Sequence, residues 1–190
     1  GDDAPAVQFA HGIASGDPLA DRVMLWTRVT PPVGHTGDIP VEWEVATDSA
    51  FTALVAQGQT TALASKDFTV KVDATGLKAA TAYHYRFRAY AATSPTGRTR
   101  TLPTGSVAQV KLAVFSCANY PAGYFNVYAH AAKRGDLDAT VHLGDYIYEY
   151  GQGGYASANA GALGRLSTPA KEILSLADYR QRHAQYKSDA

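Results

Sequence analysis

The sequence predicts an all-β sandwich followed by the opening part of a parallel α/β domain. Three observations carry that expectation: short alternating stretches punctuated by turn residues fill the first half, the pattern changes after a Pro/Gly segment, and a strand, helix and second strand then follow one another closely.

Residues 22–29 (RVMLWTRV), 41–47 (VEWEVAT), 68–73 (FTVKVD) and 83–90 (YHYRFRAY) alternate or are rich in β-branched and aromatic side chains, as half-buried strands are. Thr30-Pro31-Pro32, residues 34–38 and Ala74-Thr75-Gly76 separate them with residues that fix φ or tolerate positive φ. An antiparallel sandwich is the natural way to bury such strands. Leu77, Thr81, Tyr83 and Tyr85 lead from a turn into a strand, an arrangement similar to the tyrosine corner of immunoglobulin-like and fibronectin type III sandwiches.

The segment Thr101-Leu102-Pro103-Thr104-Gly105 marks a boundary near residue 106, so the expected domains are residues 1–106 and 107–190. Residues 107–115 (VAQVKLAVF) end in an apolar run, the signature of a strand buried on both faces. A turn at residues 116–121 follows. Phe125, Tyr128, Ala129 and Ala132 recur at helical spacing up to Lys133-Arg134-Gly135, where basic residues and glycine suit a helix C-terminus. Residues 139–143 (ATVHL) read as a second strand, and the resulting βαβ unit requires parallel pairing.

Residues 151–164 read as a mobile surface loop. Beyond them Thr168 reads as a cap with Pro169 at the first helical position, and Ser175-Leu176-Ala177-Asp178 resembles a capping box. It opens a helix with Leu176, Tyr179, His183 and Tyr186 on one face.

Composition narrows the function classes. Hydrophobic residues make up 46% of the 190-residue chain, enough for a packed core. With 17 basic and 17 acidic side chains the formal net charge is zero, which argues against nucleic-acid binding through counterion release. No apolar run is long enough to span a bilayer, and residues 1–7 lack the basic and apolar parts of a signal peptide, so an exported form is expected to have lost its signal already. One cysteine, Cys117, excludes an internal disulfide.

In parallel α/β sheets ligands bind beyond the carboxyl ends of the strands. Cys117 lies two residues past Phe115, and Asp145 two residues past Leu143, so neighbouring strands bring a thiolate and a carboxylate to one point. A tight turn in residues 144–150 (GDYIYEY) carries Tyr148 back toward the same side. Phenolate and carboxylate are hard donors and thiolate adds charge donation, a set that fits ferric iron (Fe3+) better than magnesium and also admits zinc (Zn2+) or manganese (Mn2+). Taken singly, Cys117 reads as a core thiol, Asp145 as a turn residue as readily as a ligand, and Tyr148 as packing. His142 reads as a buried, hydrogen-bonded strand residue rather than a ligand, His183 and Arg180 as surface or interhelical contacts, and His11, Asp17 and Arg22 as structural.

Residues 11–18 (HGIASGDP), 23–28 (VMLWTR), 116–120 (SCANY), 142–150 (HLGDYIYEY) and 176–187 (LADYRQRHAQYK) together resemble the PhoD-like alkaline phosphatases, in order along nearly the whole chain. The resemblance implies an immunoglobulin/fibronectin III-like domain followed by the N-terminal portion of a calcineurin-like metallophosphatase domain. It implies export by the twin-arginine route to a secreted or periplasmic location, and hydrolysis of phosphate esters, as an alkaline phosphatase or phosphodiesterase. By the same resemblance Cys117, Asp145 and Tyr148 are ligands of an iron centre, with Asp145 bridging to calcium (Ca2+). The Asp and Tyr three residues apart also resemble the iron-binding pair of purple acid phosphatases. The later aspartate, asparagine and histidine motifs of metallophosphatases are not in this sequence, so no catalytic residue is assigned. The C-terminal remainder is expected in the same or a second chain, and these residues alone are expected to be inactive. The alternative is an extracellular fibronectin-like binding module without catalysis.

Overall fold

The computed structural model describes residues 4–189; the expected domain limits at 1 and 190 lie outside the described residues. The chain divides into two compact units, Gly1–Val107 and Ala108–Ala190.

The first unit is all-β. Its strands are β1 (Ile13–Gly16), β2 (Arg22–Arg28), β3 (Ile39–Ala46), β4 (Leu54–Ala62), β5 (Thr69–Thr75), β6 (Ala82–Ala89), β7 (Ala92–Thr93) and β8 (Gly97–Arg100). They form one sheet in the order β1-β2-β5 and another in the order β4-β3-β6, with β7 and β8 both paired to β6. All pairings in this unit are antiparallel.

Alternation decides which side chains go inside. In β2 Val23, Leu25 and Thr27 are buried while their neighbours are half-exposed, and in β6 Tyr83, Tyr85, Phe87 and Ala89 are buried. Residues of both sheets, among them Leu25, Val72, Ile39, Val41 and Phe87, form one apolar core. Removing that surface from water is the principal stabilisation. Tyr83 adds a polar lock at the corner: its hydroxyl accepts the Lys78 backbone N–H at 2.8 Å. Arg22 bridges Asp21 and Asp73 at the surface, a structural role as expected.

The second unit has two parallel strands, β9 (Leu112–Phe115) and β10 (Ala139–His142), with helix α1 (Asn126–Ala132) in the crossover between them. Helix α2 (Leu176–Lys187) closes the unit. Its core is largely aromatic. Tyr186 of α2 packs its ring 5.6 Å from Tyr120, 5.4 Å from Phe125 and 6.2 Å from Tyr146, and Phe115 of β9 lies edge-on to Tyr128 of α1 at 4.9 Å. Such tilted and edge-on pairs suit the ring quadrupole and bury much area per residue.

Several expectations for this unit are corrected. The strand at residues 107–115 is shorter than expected, starting at Leu112, and it is not buried on both faces: Leu112 and Val114 are 51% and 56% exposed. Phe115 turns toward α1, and among the described residues no layer covers the opposite face. Residues 168–174 do not form a helix. The Thr168 N–H donates to the Gln185 side chain, and the carbonyls of Thr168 and Pro169 accept from Arg182, so long-range partners take the backbone groups that a helix would have paired locally.

Ser175 caps helix α2 with the expected reciprocal capping box to Asp178. Its buried face, however, is Asp178, Arg182 and Tyr186, while Leu176 is 66% exposed. The charged residues are buried because each is satisfied: Asp178 accepts from Lys171 and from the backbone of Leu174 and Ser175, and Arg182 donates to three carbonyls. Residues 151–164 lack regular structure, but Ala160 is buried and Arg165, just beyond, is anchored to Asp189 and to the Tyr120 carbonyl.

Candidate metal centre

The parallel ladder places Phe115 opposite His142, and it continues past both strands. The Leu143 N–H donates to the Phe115 carbonyl at 2.8 Å, the Cys117 N–H to Gly144 at 3.1 Å, and the Ala118 N–H to Asp145 at 2.8 Å. The two loops are thereby laced together, and their side chains meet.

Cys117 Sγ lies 3.5 Å from Asp145 Oδ2, and the Tyr148 hydroxyl donates to that same oxygen at 3.1 Å. Donors bonded at about 2.0–2.3 Å to one ion lie roughly 3–3.5 Å from one another. Both contacts to Asp145 Oδ2 fall in that range, so the thiol, carboxylate and phenol are a donor set that could hold one cation. Among the described residues no group of three or more His, Cys, Asp and Glu side chains gathers, so the phenol is what makes the set a triad.

The backbone bends sharply at both strand ends. Cys117 has φ +60° and Asp145 φ +53°, both in the left-handed region, and Gly144 between β10 and Asp145 has φ +129°. For an ordinary side chain that conformation costs on the order of 1–2 kcal/mol. Aspartate tolerates it better than cysteine does, and such strain concentrates at functional sites.

Electrostatics follow from the crowding. Burial pushes the Tyr148 phenol above its ordinary range, and the adjacent Cys117 and Asp145 groups, which an additional negative charge would oppose, push it further. A cation between the three reverses that balance, since it favours the ionised form of every donor.

Cys117 is exposed, which overturns the reading of it as a core thiol. His142 is half-buried and hydrogen-bonded, with Nε2 3.1 Å from the Tyr128 hydroxyl and Nδ1 accepting the Gly144 N–H at 3.3 Å, so it steadies the loop before Asp145. His183 lies against the Tyr146 ring at 5.8 Å. Tyr148 sits among Tyr150 and Tyr155, with ring centroids 6.3 and 6.2 Å away.

Two residues escaped the sequence reading. Asn119 donates from Nδ2 to the Tyr155 carbonyl at 3.3 Å, joining the Cys117 loop to the tyrosine cluster. Arg182, 1% exposed, donates to the carbonyl of Tyr148 itself. Periodicity treats arginine as a solvent-facing residue, so only the low apolar content around Arg182 on its helix offered a signal.

Comparison with known proteins gives the arrangement its context. Residues 2–103 match the family model for the PhoD-like phosphatase N-terminal domain, and residues 112–190 match that for PhoD-like phosphatase. Alkaline phosphatase D of Bacillus subtilis (strain 168) is 45% identical over 189 residues, covering 96% of this chain and 32% of its own length. A solved structure of PhoD superposes with a TM-score of 0.90 at 43% identity, covering 100% of this chain and 36% of its own. The chain thus spans about a third of the length of these relatives, with both successive family segments present in order, and it belongs to the PhoD-like phosphatase family.

Proposed function

We propose that the chain forms the first part of a metal-dependent phosphoesterase, hydrolysing phosphate esters as an alkaline phosphatase or phosphodiesterase. The observation that carries this reading is the convergence of Cys117 Sγ and the Tyr148 hydroxyl on Asp145 Oδ2. Family membership supports the phosphatase chemistry, and the strand order β1-β2-β5 beside β4-β3-β6 supports an immunoglobulin/fibronectin III-like first domain. In this reading the second unit opens a calcineurin-like metallophosphatase domain, and the protein acts outside the cytoplasm, secreted or periplasmic.

Cys117, Asp145 and Tyr148 would hold Fe3+, with zinc or manganese as substitutes when iron is scarce. By resemblance Asp145 would also contact a second cation, calcium; both of its side-chain contacts here fall on Oδ2. Bound metal supplies charge neutralisation at the phosphoryl oxygens and an activated water at accessible pH. The three side chains fix that charge at the strand ends, where the ester would be held, and the laced loops keep them from shifting as charge develops. The remaining ligands and the group that stabilises the leaving oxygen are assigned to the C-terminal remainder, in the same or a second chain.

The test is metal content together with the visible spectrum, measured on the protein with that remainder. Iron with a tyrosinate charge-transfer band that disappears in Tyr148→Phe, accompanied by hydrolysis of a chromogenic phosphate ester, is the expected result. A colourless, metal-free and inactive protein would overturn the reading and favour a fibronectin-like binding module.

A further inference from the structure

We propose that Arg182 is a positioning residue for Tyr148, setting the direction of its phenol through the backbone; this rests on the iron-site reading above. The guanidinium is 1% exposed and serves three carbonyls from two separate segments: Tyr148 through Nη1, Thr168 through Nε at 2.9 Å and Pro169 through Nη2 at 3.1 Å. A planar fork with five N–H donors can serve three fixed acceptors at once, and an ammonium on a flexible stem cannot hold the same geometry.

Filling that space alone does not call for a buried charge. A well-packed apolar side chain of similar volume commonly serves stability as well as a buried ion does. What the guanidinium adds is a defined position for the carbonyl of a proposed ligand residue. The neighbouring chain is tied along the same line, since the Ile173 N–H donates to the Glu149 carbonyl at 3.0 Å and the Gln152 N–H to Ala170 at 2.8 Å. Helix α2 and residues 168–173 thus form a brace, and Arg182 is its contact at Tyr148. On the other side of that residue the phenol reaches Asp145.

Groups behind the ligands of a metal site typically change metal affinity about 10- to 100-fold when removed. The experiment compares Arg182→Lys and Arg182→Gln with a matched control, Arg165→Gln, in the iron-loaded protein with its remainder. Arg165 is also a buried guanidinium, 4% exposed, but it holds Asp189 and Tyr120. Both Arg182 variants are expected to show a shifted or weakened tyrosinate band and about 10- to 100-fold weaker iron retention. The Arg165 variant is expected to lose thermal stability with its band and iron retention unchanged. Should Arg182→Gln fail to fold, Arg182→Lys, which keeps the charge and the stem, carries the test. Wild-type band and retention in the folded Arg182→Lys protein would overturn the positioning role. A wild-type protein that binds iron without any tyrosinate band would instead overturn the iron-site reading, and the positioning role with it.

Discussion

Cys117 and Asp145, 28 residues apart in the chain, face each other across 3.5 Å, and each has a left-handed backbone conformation that directs its side chain toward the other. The strained bends lie immediately after two paired strands, where the ladder fixes them. Site geometry and local stability are therefore opposed at Cys117.

Cys117→Gly tests that opposition. Glycine relieves a strain of about 1 kcal/mol but gives the unfolded chain a comparable amount of freedom, so stability should change by less than about 0.5 kcal/mol. Iron uptake should nevertheless collapse. Chemical denaturation and metal analysis on the same sample read the two effects separately.

Asp145→Asn keeps the size of the side chain and a hydrogen bond to Tyr148 but removes the charge that the Cys117 and Tyr148 groups share. Metal affinity should fall by at least about tenfold, with little loss of fold. Because burial and its neighbours keep the Tyr148 phenol protonated above its ordinary range, iron loading of the unsubstituted protein should release protons and weaken as pH falls. Titration calorimetry in buffers of different ionisation enthalpy measures that release.

Acid should loosen helix α2. The Asp178 carboxyl is held below the usual carboxylate range, first by the Lys171 ammonium and then by the Ser175 and Leu174 backbone N–H groups. Its folded value lies below the unfolded one, so its stabilisation is complete at neutral pH and is lost as pH falls from about 4 toward the folded value. Asp178→Asn should lower Tm at pH 7 and flatten the acid limb of a Tm-against-pH curve.

The first unit gives two graded expectations. Phe87 is fully buried in the shared core, and Phe87→Ala should cost about 3–5 kcal/mol. Tyr83→Phe deletes only the acceptor of the Lys78 N–H and should cost about 1 kcal/mol. Denaturant midpoints distinguish the two.

The strands and the capping box were legible because their signals are local. Alternation in residues 22–28 and 83–89 and the reciprocal Ser175–Asp178 pair depend on near neighbours. The meeting of Cys117 and Asp145 was legible for a related reason: each lies a fixed step beyond a strand end whose parallel pairing the crossover dictates, and the turn after Gly144 returns Tyr148 to Asp145. What the sequence concealed was long-range and polar. Arg182 and Asp178 are buried on the strength of acceptors and donors that hydrophobic periodicity does not register. The helix expected at Thr168–Pro169 gave way to side chains of a later helix. The exposure of Leu112 and Val114 reflects what lies against the sheet, which the apolar run alone does not reveal.

The lacing of the loops past β9 and β10 makes the approach of Cys117 to Asp145 indifferent to the length of the crossover between the two strands. Residues inserted at exposed Gly135, in the crossover, should leave Cys117 and Asp145 facing each other, since the ladder and not the length of the crossover sets their distance. A single residue inserted at Ser116 or Leu143 would instead slide one donor by about 3.3 Å past the other. The length of the crossover can vary, whereas the count of residues between each strand end and its donor is fixed.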